Sequence, residues 1–179
     1  MKFRLFGGVE LIADGKPVDL GSTKQRLVLA ALLISAPHPV PVDVVVDRVW
    51  GAEPPREVRT ALYSYVARLR RVLATADPRL QVSRTAGGYA VVVDPGAVDV
   101  LRFRKLADRA RAISESDPAH AYQLLRQAID LTHGTPLAGL RGDWAARTRD
   151  HLTQQRLDAM TQLASIALRL GRHTDWSTN

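Results

Sequence analysis

Seven arginines fall between Arg56 and Arg84 (Arg56, Arg59, Arg68, Arg70, Arg71, Arg79 and Arg84) against only Glu57 and Asp77, so 29 residues carry +5 of the chain's formal +7. A guanidinium is a planar fork of donors that matches a phosphate, or the O6 and N7 edge of guanine. Confined to one short segment, such a surplus is the electrostatic footprint of a phosphate-binding face. Residues 96–179 carry a surplus of only +3, spread along their length. Other chemistries lack their residues. His38, His120, His133, His151 and His173 are scattered without metal-ligand spacing, and there is no cysteine. Gly134, Gly139 and Gly142 have neither the spacing of a phosphate loop nor a following Lys-Ser/Thr. No nucleophile stands with a base, so the reading is of a chain with no catalytic residues, no metal and no cofactor.

The arginine segment must be held by the elements around it. The first twenty residues alternate short apolar runs with turn formers, Phe3 to Phe6, Gly7-Gly8, Val9 to Ile12, Asp14-Gly15, and predict a small antiparallel sheet with an Asp-Gly hairpin turn. Ser22-Thr23-Lys24-Gln25 reads as a capping box before a helix carrying Leu27, Ala30, Ala31 and Ile34, which Pro37 and Pro39 end. A second helix is expected from an Asp43 N-cap to Trp50, stopped by Gly51. After Glu53-Pro54-Pro55 a third helix spans residues 56–73, with Val58, Leu62, Tyr65, Val66, Leu69, Val72 and Leu73 as its buried stripe. At 100° per residue the opposite face holds Arg56, Thr60, Tyr63, Ser64, Ala67 and Arg71, flanked by Arg59, Arg68 and Arg70. Residues 80–84 and 89–93 then form a hairpin tipped by Thr85-Ala86-Gly87-Gly88.

Asp94-Pro95-Gly96 breaks the last strand and divides the chain into residues 1–95 and 97–179. Beyond it the pattern is helical. Asp99 caps one helix, Asp117-Pro118 a second ending near Gly134, and a third runs from about Trp144 to Leu170. Alanines alternating with leucines suit closely packed helical hairpins. The N-terminus lacks the apolar core of a signal peptide, and no window is apolar enough to span a membrane, so a reducing, soluble, cytoplasmic setting is expected.

Three helices, the third with a cationic outward face, followed by a glycine-tipped hairpin, make a winged helix-turn-helix. A helix of 18 residues is roughly 27 Å long, enough to enter a major groove. Trp50 and Tyr65 are expected to pack, Tyr63 to face outward, and Arg79 to be solvated surface. From another class, the competing reading is a protein-interaction module whose winged helix docks without reading DNA. The cationic face separates the two, because a docking surface has no need of it.

The runs Val49-Trp50-Gly51-Ala52-Glu53-Pro54-Pro55, Ala61-Leu62-Tyr63-Ser64-Tyr65-Val66-Ala67-Arg68-Leu69-Arg70-Arg71-Val72-Leu73 and Gly87-Gly88-Tyr89 resemble the Streptomyces antibiotic regulatory protein family. Phe103, Leu106, Ala128-Ile129-Asp130-Leu131, Gly134-Thr135-Pro136-Leu137, Trp144 and Leu168-Arg169-Leu170-Gly171-Arg172-His173 continue the likeness through the second half. The resemblance implies an OmpR-type winged helix followed by an all-α, tetratricopeptide-like bacterial transcriptional activation domain. It implies an activator bound to direct repeats of double-stranded promoter DNA near the −35 region, two protomers side by side, engaging RNA polymerase holoenzyme with its sigma factor at antibiotic biosynthesis genes in the nucleoid.

Arg56, Arg59, Thr60, Tyr63, Ser64, Arg68, Arg70 and Arg71 then fall on the recognition helix, with Arg70 nearer the phosphates. Lys24, Gln25 and Arg26 fall on the backbone-contacting start of the first helix, and Arg84, Thr85 and Gly88 on the wing. The family's wing arginine corresponds to Thr85, whereas here it stands one residue earlier, at Arg84. No receiver domain precedes the winged helix, so response-regulator phosphorylation is not implied. Further helices are expected after His173, which makes the activation domain here a partial one.

Overall fold

The computed structural model describes residues 1–171. Three short strands, β1 (Lys2–Arg4), β2 (Glu10–Ala13) and β3 (Lys16–Val18), form an antiparallel sheet in that order. The β2–β3 hairpin turns at Asp14 and Gly15, both with positive φ, as a two-residue turn of this twist requires. Helix α1 (Thr23–Leu33) begins where Ser22 Oγ accepts the Gln25 amide at 3.3 Å, and nearly all of it is buried. Helices α2 (Val42–Trp50) and α3 (Val58–Ala76) pack on it, followed by the hairpin β4 (Gln81–Thr85) and β5 (Gly88–Val92).

Two helix starts in the first half differ from expectation. Helix α2 begins two residues earlier, with Pro41 rather than Asp43 at its N-cap, where a proline costs the helix no hydrogen bond. Asp43 stands instead in the first turn, favourable to the helix dipole, and pairs with Arg59 at 2.8 Å. Helix α3 starts at Val58, two residues after Arg56, which lies in the turn that follows Pro55; its first backbone bond runs from the Ala61 amide to the Glu57 carbonyl. Its stripe is as expected, with Leu62, Val66, Leu69 and Leu73 buried.

A 3-10 turn (Pro95–Ala97) leads into α4 (Asp99–Ile113), α5 (Pro118–Ile129) and the long α6 (Asp143–Arg169), each packed on the next. Asp117 caps α5 through the His120 amide, as its sequence predicts. Arg172 and His173 lie outside the described residues.

The two halves share one core. Phe6 meets Phe103 of α4 edge-on at 5.2 Å, and the buried cluster runs without interruption from the sheet to α6. Backbone joins them too. Phe3 bridges Val98, and Gly8 bridges Ala138; the amides of Leu137 and Ala138 donate to the carbonyls of Leu5 and Gly7 at 2.9 and 2.8 Å. Residues beyond Asp94 carry no strand pattern because each bridge uses a single residue. Asp99 does not act as an N-cap; that position is Val98's. Its carboxylate accepts the amides of Leu5 (2.8 Å), Phe6 (2.9 Å) and Val100 (2.7 Å). Burial pushes its pKa above the ordinary carboxylate value against the opposing pull of those three bonds.

Replacing Asp99 with alanine orphans the amides of buried Leu5 and Phe6, just past β1, and is expected to lower stability by about 1–3 kcal/mol, read as a shifted urea midpoint at unchanged slope. With the folded pKa raised, Asp99's contribution is full below the unfolded value near 4 and declines as pH rises through the folded one. The stability gap between wild type and Asp99→Ala should therefore narrow with rising pH across that window, and a gap that widens would contradict the assignment.

Candidate nucleic-acid interface

One turn of α3 after another presents its outward face to solvent: Arg59, Thr60, Tyr63, Ser64, Ala67, Arg68 and Arg71 are all exposed. Ser64 Oγ folds back to the Thr60 carbonyl at 3.0 Å, and Thr60 Oγ1 reaches Glu57 at 3.4 Å, so both hydroxyls are held near the helix. Arg68 and Arg71 make no ion pair with any described residue. They flank a shallow cleft of about 400 Å³ shared with Asp19, Gly21, Ser22 and Gln25, where α1 begins; the Asp19 carboxylate there accepts the Gly21 amide at 2.8 Å. A helix start with unpaired amides beside two free guanidiniums is a place where a phosphate is well received.

Of the three residues expected at that helix start, only Arg26 remains available. It is exposed, with Nε on the Gly21 carbonyl at 3.1 Å. Lys24 turns the other way: its ammonium sits on the Val49 carbonyl at 2.6 Å and over the Trp50 ring, because the carboxyl end of α2 needs a donor and attracts a cation. Gln25 is 3% exposed and lies at the floor of the same cleft, which leaves little of its side chain for a backbone phosphate.

The wing is fastened to α3. Arg70 Nε donates to the Val82 carbonyl of β4 at 2.7 Å, so this arginine spends its directional bond on the hairpin. The guanidinium of Arg84 lies 5.5 Å from the Tyr63 ring and 5.9 Å from that of Tyr89. Tyr89 reads in the sequence only as the start of the second wing strand, and the two-residue turn Ala86-Gly87 pairs Thr85 with Gly88 and Arg84 with Tyr89, so the contact follows from register. Thr85 Oγ1 accepts the Gly87 amide at 3.2 Å and shapes the turn. Gly88, expected as a wing contact, is buried, with φ +123 and its Cα against Val40 and Pro41, where any Cβ would overlap the Val40 carbonyl. Its role is to let β5 meet residue 40. Arg79 pairs with Asp77 at 2.8 Å and holds that carboxyl down at about 2. Trp50 and Tyr65 are half-buried against each other, ring centroids 6.2 Å apart.

A three-stranded sheet, three helices and a hairpin wing, with the third helix cationic outward and a helical array behind, define a winged-helix transcription regulator with an α-helical second half. Comparison with known proteins agrees. "Transcriptional regulatory protein, C terminal" matches residues 15–91, and "Bacterial transcriptional activator domain" matches residues 98–178. The chain is 38% identical over 177 residues to Regulatory protein AfsR of Streptomyces coelicolor, covering 98% of this chain and 17% of that protein. It is 34% identical over 186 residues to Regulatory protein DnrI of Streptomyces peucetius, covering 97% of this chain and 67% of that one. Among solved structures, Mycobacterium tuberculosis EmbR in complex with a low-affinity phosphopeptide superimposes with a TM-score of 0.87 at 30% identity, over 96% of this chain and 46% of that one. The chain belongs to the Streptomyces antibiotic regulatory protein family.

Substituting Gly88 with alanine is expected to cost about 2–3 kcal/mol, from the disfavoured φ and the collision with residue 40 together, and to lower the melting temperature by several degrees. Calorimetry checks it; an unchanged melt would mean that β5 and the α1–α2 connection are not in contact.

Proposed function

We propose that this chain is a sequence-specific, DNA-binding transcriptional activator. In this reading residues 1–95 read double-stranded DNA through α3, and residues 97–179 engage RNA polymerase holoenzyme, sigma factor included, while two protomers sit side by side on direct repeats near the −35 region. The targets are secondary-metabolite genes, the role that the family's name carries, and the site of action is the nucleoid. The observation that supports it most is the cationic face of α3: Arg68 and Arg71 stand exposed, off the buried stripe, beside the start of α1 and without an ion-pair partner among the described residues. No described helix is long and apolar enough to cross a membrane.

Arg68→Ala and Arg71→Ala should keep the wild-type melt and weaken DNA binding. Loss of a base contact costs about 1–3 kcal/mol and relaxes preference at one position, whereas loss of a phosphate contact weakens all sequences alike and lowers the salt slope by about one. Fluorescence anisotropy on cognate and scrambled duplexes across a salt series separates these outcomes, and wild-type affinity in both variants would overturn the reading.

On a promoter the protected half-sites should be direct repeats about one helical turn apart, so that successive copies of α3 meet the same face of the duplex. Footprinting that yields an inverted repeat would contradict the head-to-tail arrangement.

A further inference from the structure

Between the α1–α2 connection and the start of α4 lies an open cleft of about 450 Å³. Val40, Val44 and Leu101 give it apolar walls, and Ser35, Arg48 and Arg104 form its polar end. No acidic side chain among the described residues lines it. Both guanidiniums are fixed from behind by neutral acceptors. Arg48 Nη1 donates to the Ala31 carbonyl at 2.9 Å and to Ser35 Oγ at 2.8 Å. Arg104 donates to the Ile34 carbonyl and to Gln155 Oε1, both at 3.3 Å. Their acidic neighbours, Asp47 and Asp108, lie along their own helices and outside the cleft. Burial of the charged form lowers the pKa of each arginine. Two rigidly held, partly desolvated cations at the end of an apolar cleft complement a negative group on an apolar body, where a charge-assisted bond is strong and the skeleton is withdrawn from water.

We propose that this cleft binds a small organic anion, an apolar skeleton carrying one carboxylate, sulfonate or phosphate group, with the charge at Arg48 and Arg104 and the skeleton against Val40, Val44 and Leu101. The wing is one hydrogen-bonded step away. Val40 and Tyr89 exchange both backbone bonds, at 2.7 and 2.9 Å, and Tyr89 carries the stacked Arg84. An occupant touching Val40 and Leu101 at once bears on the wing and on α4, so its binding is linked to DNA affinity; that linkage, unlike the site itself, rests on the function proposed above.

Anilinonaphthalene sulfonate, a fluorescent anion with an apolar body, probes the site in the full chain without DNA, and uncharged phenylnaphthylamine is its control. Val44→Glu sets a carboxylate in the cleft at a residue already 38% exposed, and Arg104→Gln removes a cation; melts by circular dichroism establish that each is folded. The expected result is one saturable sulfonate site that weakens about tenfold or more in both variants, with the neutral analogue binding poorly and unaffected. Equal sulfonate binding by wild type and Val44→Glu, or equally tight binding of the neutral analogue, would overturn the site. With the probe bound, DNA affinity should shift in wild type but not in Val44→Glu; an unchanged affinity would overturn the linkage alone, and failure to bind DNA at all would count against the proposed function while the DNA-free titration still decides the site.

Discussion

The Asp99 carboxyl group accepts amides from the residues that follow the first strand and from its own helix, and this places an ionisable group where the two halves of the chain touch. Buried backbone just past a strand leaves donors with nowhere to go, and the carboxyl group at the start of α4 accepts them. Around it the Phe6–Phe103 contact and the two backbone bridges are a direct extension of the same junction. The consequence is geometric. Helix α3 and helix α6 are referenced to one core, so the orientation of the cationic face of α3 is tied to that of the helical array behind it.

The cations divide into those that hold the fold and those left for a partner. Lys24, Arg48, Arg70 and Arg104 each donate to a backbone carbonyl, and Arg149 reaches three in the turn that precedes α6, those of Pro136, Leu137 and Leu140. Arginine suits this work because its fork can satisfy several carbonyls at once. Arg68 and Arg71 remain toward solvent, and so does Arg26, although its Nε rests on the Gly21 carbonyl. The formal charge of +7 therefore overstates what a phosphate backbone would meet, and the placement of a few free guanidiniums matters more than the total.

Local signals were legible in the sequence. The Asp14-Gly15 turn, the Ser22 and Asp117 caps, the Gly51 stop and the buried stripe of α3 each depend on a few consecutive residues, and periodicity reports them directly. What failed to show was partner choice across long separations. Lys24 and Gln25 follow an N-cap and so suggest a phosphate contact, but which neighbour a side chain turns toward depends on α2, 25 residues away. Arg56 lies beyond the helix because Pro55 precedes another turn, a distinction that falls within one or two residues of any boundary read from pattern. Gly88 reads as a flexible tip, whereas its burial depends on residue 40. The exposed stretch of α3 was visible throughout, since it needs only the helix and its own stripe.

The shared core also bears on how such regulators can be recombined. The chain is divided most simply at Asp94-Pro95-Gly96, yet residues 3–8 are hydrogen-bonded to Val98, Asp99, Leu137 and Ala138. A hybrid that takes its first half from one relative and its second from another inherits a seam running through β1 as well as one in the linker. The units that travel intact are therefore not contiguous: the amino-terminal strand must be matched to α4 and the turn at residues 137–138, and a grafter who respects only the linear boundary separates a strand from the helix that completes it.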